Sequence, residues 1–455
     1  MRMSSWIKRG GRALGAAGVL TAATALTALV SFETASLRAA AKGQPSPPAT
    51  VFAQWAGSSG HNPVLPGSDP ATFTVHLESQ AIIGGIAVVG PTAYVGSNSG
   101  QVFAVDRTSG RILWHAALPN EVMSTPLVVG NLVVVGVGNS LFAANERSGL
   151  ARIRGTGPSG VYALNRTTGK PVWHVVTRGE CMPTAAYYHG NVYQMTGSGD
   201  LLEIQAATGT VLRRHMLGEF DSMASPSLQG GILIVDTAPQ QVMAVALPTL
   251  AVLWHTSIPA VSGVTDVSPA RSGPYVALDA VTSLKHLGGS LAYGTETLFV
   301  LDASNGRVLW SQVLGSGHLR TDVMQTAVPT IVGGTVYVGS PIAKRVSAFD
   351  LASGRLLWSV ATHGEVKDDP AATAGHVYFA DSAGYVYDVN AATGKLVADR
   401  QLAPGSRVYG SGAAAFGIGT GGLLLVGAAA YCATSQGLLI AFPLSDFVTG
   451  RWAGA

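Results

Sequence analysis

Most of the chain is built from short runs in which apolar and polar residues alternate, broken at regular intervals by a polar turn that ends in glycine. The runs read GQVFAVDRTSGRILW to Trp114, GVYALNRTTGKPVW to Trp173, GDLLEIQAATGTVLR to Arg213 and QQVMAVALPTLAVLW to Trp254. They continue as TLFVLDASNGRVLW to Trp310, RVSAFDLASGRLLW to Trp358 and GYVYDVNAATGKLVA to Ala398. Period-two alternation on both sides of an Asp/Asn-x-x-Thr/Ser-Gly turn predicts a β-hairpin, with glycine supplying the positive φ and the Asx side chain capping the turn. A second pair of short apolar segments precedes each hairpin, as in STPLVVGNLVVVG and AVPTIVGGTVYVGS. Four strands per unit, repeated along the chain, predict an all-β fold: an eight-bladed β-propeller of four-stranded blades.

The eighth unit starts near Gly412 and lacks a last strand. Residues 72–77, TFTVHL, are predicted to supply it, closing the ring and covering its open sheet edges. The tryptophans that end five of the seven hairpins are predicted to wedge between neighbouring blades, so the junctions at Arg213 and Ala398 should be less tightly stapled. Two excursions depart from the repeat. Gly138–Ser159 carries Arg147, Arg152 and Arg154 and is expected to cover the channel or meet a partner, and Arg271–Gly289 lengthens the fifth blade.

The A-x-D-x-x-T-G-x-x-x-W repeat resembles that of the pyrroloquinoline-quinone-type propellers over about residues 51–447, and Trp55–Val64 resembles their lead-in. That family resemblance implies the fold and leaves three functions open. Quinone-dependent dehydrogenases would bring an adjacent-cysteine pair, a tryptophan floor and a calcium site. The outer-membrane assembly scaffold would bring a lipid-bearing cysteine and a partner-binding rim. Tetrathionate hydrolases would bring a bare exported ring acting on a dianion in acid, and this resemblance is ranked first; it implies cleavage to thiosulfate, sulfur and sulfate.

Composition narrows the choice. Arg2, Lys8, Arg9 and Arg12 precede an apolar stretch, Ala13–Phe32, and small residues at 39–41, so residues 1–41 are expected to be an export signal, with an uncleaved anchor as the alternative. A lead-in over 42–71, the propeller over 72–447 and a tail over 448–455 follow, in a periplasmic or secreted protein. Without residues 1–41 the chain loses five basic residues and one acid, which takes its formal net charge from +3 to −1. Such a chain offers no nucleic-acid footprint. Charged residues are 12% of the sequence, a surface whose charge depends little on ionised carboxylates and so suits an acidic exterior. Cys181 and Cys432 are open to forming one disulfide in an oxidising compartment. No CxxCH motif or adjacent cysteine pair occurs, and no cofactor or metal is expected.

In a propeller the loops from each outermost strand to the next innermost strand open onto the central channel. Here they hold much of the scarce charge, including Glu121, Glu180, Asp221, Asp266 and Glu365. Arg178, Arg320, Lys367 and Arg407, with His318 and Tyr409, are the expected contacts for a small anionic substrate. Asp322 in HLRTDVMQ is the first candidate for a base toward water, since a cationic neighbourhood would keep it ionised in acid; Asp368 and Asp369 are its rivals. Capping of the loops is the alternative role for any one of these acids. Cys181 either faces the channel or is a buried inert thiol. An outer-membrane association and a homodimer are the partner arrangements left open.

Overall fold

The computed structural model describes residues 51–52, 54–67, 72–142, 153–221, 223–321, 326–402 and 418–450. These form eight sheets, in each of which four strands run as an antiparallel meander from the inside of a blade to its outside. Blades 1 to 8 begin at the inner strands Ala87–Val89, Leu127–Val129, Ala186–Tyr188, Ser227–Gln229, Ala270–Ser272, Thr330–Val332, Ala371–Ala372 and Ile418–Val426. The closing strand is Phe73–His76, which pairs antiparallel with Leu438–Pro443 as the outer strand of blade 8.

The turns explain the regularity of the ring. Asp106 accepts hydrogen bonds from the backbone N–H groups of Thr108 and Ser109, and Asn165, Asp302, Asp350 and Asn390 repeat the arrangement. Each hairpin tryptophan donates its Nε1–H to a carbonyl in the next blade's turn: Trp114 to Arg166, Trp173 to Ala206, Trp254 to Ala303, Trp310 to Leu351 and Trp358 to Ala391, at 2.8 or 2.9 Å. The ring lies against that turn's glycine. A Cβ on Gly306 would stand 2.4 Å from the Trp254 ring, so only glycine admits the wedge.

The junctions without tryptophan have replacements. Arg213 donates to the Pro248 carbonyl and is held by Glu203 at 3.5 Å, so this junction is stapled by a guanidinium instead. Ala398 packs in a cluster with Phe442 and Phe447, the latter from the helix Leu444–Thr449. At the closure, Phe73 stands against Gly110, while Tyr431 makes the indole's hydrogen bond, to the Arg107 carbonyl at 3.0 Å.

Blade 5 is the lengthened one, as expected, but the lengthening is strand rather than loop. Its strands Tyr275–Gly288, Leu291–Asp302 and Val308–Arg320 run far beyond those of the other blades, pairing as far as Leu291 with Arg320. The sequence around His318 is therefore strand, not loop. The extension leans on blade 6, with Gly315 against Ala343 and Gly317 against Ile342.

The lead-in occupies the inside of the ring. Val51 and Phe52 pair with Val129 and Val128 of blade 2. Gln54 bonds both the N–H and the carbonyl of Leu228 in blade 4. The Ser59 carbonyl accepts from Arg271 in blade 5 and the Gly60 carbonyl from Ile331 in blade 6. Asn62 bonds Ala372 of blade 7 on both sides, and Val64–Leu65 lie parallel to Leu425–Val426 of blade 8. A segment that bonds the inner strands of six blades must lie across the axis, where it satisfies edges that would otherwise stay open. The channel is thus blocked at the level of the inner strands.

Candidate functional site

The loops that enter the inner strands share one register, which sorts their residues into layers. Four residues ahead of each inner strand stand Ile83, Met123, Met182, Met223, Asp266, Thr326 and Lys367, for blades 1 to 7 in turn. Ile83, Met123 and Met182 pack into one buried cluster with Met223 and Ala81 against it. Side chains from four consecutive blades meet only where their loops converge on the axis. This layer, called here the floor, is largely buried, apolar and sulfur-rich in blades 1 to 4 and polar in blades 5 to 7.

Two residues further on stand Gly85, Thr125, Thr184, Ser225, Ser268, Val328 and Asp369. Thr125 N–H donates to the Thr184 hydroxyl, Thr184 N–H to Ser225 and Ser225 N–H to Ser268, each at 2.9 Å. This belt ties blades 2 to 5 together beneath the floor. Asp369 takes the same position in blade 7, and it lines a small cavity with Ala56, Pro63, Gly85, Ile86, Thr125 and Leu424, between floor and lead-in. Two residues above the floor is an acid-rich rim: Glu121, Glu180, Asp221 and Glu365 in blades 2, 3, 4 and 7.

The expected site residues fall in different places within this frame. Lys367 is a buried floor residue paired with Glu365 at 2.9 Å. Asp369 faces the axial cavity, whereas Asp368 is one residue out of phase and turns into the blade. Burial raises the Asp368 pKa well above the ordinary carboxylate range, Asp369 adding to the rise and Lys367 opposing it. Arg178 is exposed. His318 is exposed on the blade 5 extension, its ring edge-on to Tyr293 at 5.6 Å, and Arg320 is half-buried at the end of the same strand. Asp322, Arg407 and Tyr409 lie outside the described residues. The two cysteines do not form the disulfide left open above: both are free and buried, in separate hydrophobic clusters. Cys181 fills the place that Val122 and Val366 fill in other blades, its carbonyl against Gly136, and burial raises its thiol pKa.

The insertion and the channel-loop acids named from the sequence meet here, and three buried acids, Asp236, Asp279 and Glu296, join them that the sequence reading did not single out. Arg154, at the return of the blade 2 insertion, reaches over the rim: its carbonyl accepts from Glu180 N–H, and its guanidinium stands 3.7 Å from Glu180 and 4.0 Å from the Met182 sulfur. Phe142, at the other end of the insertion, packs edge-on to Phe220 of the loop between blades 3 and 4 at 5.3 Å. Glu180 is fully buried; burial pushes its pKa up to about 8, against the pull of Arg154 and the Met182 N–H. Asp236 and Asp279 sit at the fifth position of their second strands, where blades 1, 2 and 6 have Gly96, Gly136 and Gly339. Burial raises both well above the ordinary range, and Asp279 shares its site with Glu296, also raised. Asp279 accepts from Ala327 N–H and Glu296 from the Ser340 hydroxyl. The signal was available: LIVDT and VALDA carry an acid where blades 1, 2 and 6 read V-G.

A quinone does not suit these channel loops. The tryptophans at 114, 173, 254, 310 and 358 are committed to blade junctions, the cysteines are far apart, and methionine and isoleucine form the apolar floor. Among the described residues, no three His, Cys, Asp or Glu side chains are grouped to hold a metal.

The sequence profile of the family described as outer membrane protein assembly factor BamB matches residues 57–152, 157–397 and 288–448. The chain is 31% identical over 382 residues to tetrathionate hydrolase of Acidithiobacillus ferrooxidans, spanning 80% of this chain and 73% of that one. It is 29% identical over 380 residues to tetrathionate hydrolase of Acidianus ambivalens, spanning 77% and 68%. BamB from Moraxella catarrhalis shares the fold, with a TM-score of 0.57 at 16% identity over 82% of this chain and 100% of that one.

Proposed function

The chain belongs to the pyrroloquinoline-quinone-type repeat family of propellers and shares it with tetrathionate hydrolases, and from that premise we propose that it is an exported hydrolase that cleaves tetrathionate with water in acid. The observation that carries the proposal is the methionine-rich layer of the channel loops in blades 1 to 4, in which Lys367 takes the same register position in blade 7. A lysine offers an anchor for a sulfonate, and thioethers offer a soft, polarisable surface to a sulfur chain. Export of the mature chain to the periplasm or the exterior, with residues 1–41 removed, belongs to the same proposal.

The step balances as follows. Water adds to a terminal sulfonate sulfur, whose bond to the adjacent sulfane sulfur breaks, and the electron pair leaves with the three-sulfur fragment. That fragment gives up one sulfur atom and becomes thiosulfate; the water oxygen ends in sulfate and two protons are released. The residue contribution is a carboxylate that takes a proton from water. Asp322, two residues from Arg320 in the sequence, is the first candidate, and Asp369, which lines the cavity on the lead-in side of the floor, would serve only a substrate that enters that cavity. Asp368, held protonated by burial, is the weaker one.

Asp322→Asn and Asp369→Asn, each compared with wild type for thiosulfate released from tetrathionate in acid, test the assignment. Loss of about a hundredfold is expected where the base is removed. A residue that only caps a loop should survive the change, because Asn caps nearly as well as Asp. Near-normal rates in both variants would reject a carboxylate base at either position. The BamB profile favours a second reading, a partner-binding scaffold, which instead predicts no turnover and co-purification with outer-membrane proteins.

A further inference from the structure

The long strands of blade 5 continue past the ring on the side from which the channel loops start, and the hairpin they form there turns at residues 287–291. The base of this extension is fixed: Leu319 is buried with Val281 and Ala292, and Leu284 and Ile342 of blade 6 pack against them. The tip is unsupported. A Cβ added to Gly288 or Gly289 would meet nothing within 4 Å, and Leu287 and Leu291, on either side of these glycines, are 46% and 45% exposed. Behind the tip, Lys285, Tyr293 and His318 are exposed and stand side by side across the three strands. Lys344 and Arg345 are exposed at the neighbouring turn of blade 6, directly after the Ala343 on which Gly315 leans. Among the described residues no ion pair involves Lys285, Lys344 or Arg345. No Asp or Glu occurs over residues 282–295, 313–321 or 340–345. Asp322, the next in sequence, lies outside the described residues.

We infer that this tip docks the protein on an anionic lipid bilayer, Leu287 and Leu291 entering the interface while Lys285, Lys344 and Arg345 face lipid phosphates. Two projecting leucines leave water only where an apolar medium is within reach. A collar of long cationic side chains and an exposed tyrosine one turn of strand behind them matches the headgroup layer, in which the stems stay apolar and the charges reach phosphate. Histidine is also a cation in acid, and His286 and His318 stand in the same collar. An acidic protein would match the charge, but an isolated hairpin tip gives it no groove or broad patch to fill, whereas a fluid interface accepts two side chains without a shaped partner. Thr321, where the channel loop of blade 6 starts, donates its N–H to the Ser290 carbonyl in the tip, so docking here turns the channel-loop side of the ring toward the membrane. The inference holds for either function considered above.

Co-sedimentation with vesicles tests the docking, using the chain without residues 1–41, which contribute to none of the eight sheets and whose apolar stretch would bind lipid by itself. Vesicles of phosphatidylcholine with about one-third phosphatidylglycerol should bind wild type at least about tenfold more tightly than phosphatidylcholine alone. Leu287→Ser with Leu291→Ser should lose at least about tenfold on the mixed vesicles. Lys285→Gln with Lys344→Gln and Arg345→Gln should bring the mixed vesicles down to the level of phosphatidylcholine. The control is Leu356→Ser with Leu357→Ser, two exposed leucines at the other end of blade 6, which should stay within about twofold of wild type. All these side chains are exposed, and unchanged melting temperatures establish that each variant is folded. Equal binding to the two kinds of vesicle, binding to neither, or a loss in the control as large as in the tip variant would overturn the inference. Capture of an acidic protein without vesicle binding would overturn it as well.

Discussion

Thermal unfolding should move to lower temperature as pH rises from about 4.5 to about 8, the reverse of what a protein stabilised by ionised surface pairs would do. The cause is the set of buried carboxyls around the mouth. Glu180, Asp236, Asp279, Glu296 and Asp368 all have pKa values raised by burial in the folded chain. Between the ordinary carboxylate pKa and the raised one, the folded state holds more protons than the unfolded state, so stability is fully present below the lower value and is lost as pH climbs through the upper. For Glu180, carried from 4.5 to about 8, the contribution is on the order of 5 kcal/mol at most. His61 works the other way. It is fully buried in the lead-in, and burial lowers its pKa to about 3, so its contribution is lost as pH falls toward that value. The turn aspartates Asp106, Asp302 and Asp350, held below the ordinary range by their turn hydrogen bonds, also lose their contribution in acid, so the maximum falls near pH 4.5 or so, not near neutrality. Melting curves across this range check the expectation, with Glu180→Gln flattening the upper part of the profile. Stability that rises steadily from pH 4.5 to about 8 would contradict it.

Phe73→Ala should cost about 3 kcal/mol, because it opens the ring at its one non-covalent seam. The Phe73 ring takes the tryptophan's place against Gly110 of blade 1 and lies edge-on to Tyr431, with centroids 6.3 Å apart. Thr74, its exposed neighbour on the same strand, is the control: Thr74→Ala should change stability by no more than about 0.5 kcal/mol. Urea unfolding of both variants measures the difference. Similar values would mean that the strand contributes little to closure.

The fold was legible because its determinants are local. The Asx-x-x-Thr/Ser-Gly turn fixes each hairpin within a few residues, and the tryptophan repeats the same wedge at five junctions. The missing outer strand of blade 8 announced Phe73–His76 by its alternation alone. What the repeat does not encode stayed hidden. The inner strands are only two or three residues long in blades 1 to 7, so their starting points, which decide the phase of every channel residue, have little periodicity to mark them. That is why Asp368 and Asp369 could not be told apart, although one turns into a blade and the other faces the axis. Arg154 was named in its insertion, but its pairing with Glu180 was not, because its path over blade 3 is set by backbone contacts with Gly197 and Glu180, distant in sequence. The strands of blade 5 were read as loop around His318 because glycines at 315 and 317 interrupt the alternation; the structure uses them to let that extension lie close against Ile342 and Ala343 of blade 6.

The central claim is tested most directly by incubating the purified mature protein with tetrathionate in oxygen-18 water at about pH 3, where exposed carboxylates are largely protonated. The account predicts equal amounts of thiosulfate and sulfate, with one labelled oxygen in the sulfate and none in the thiosulfate. Unchanged tetrathionate, or thiosulfate carrying the label, would contradict it.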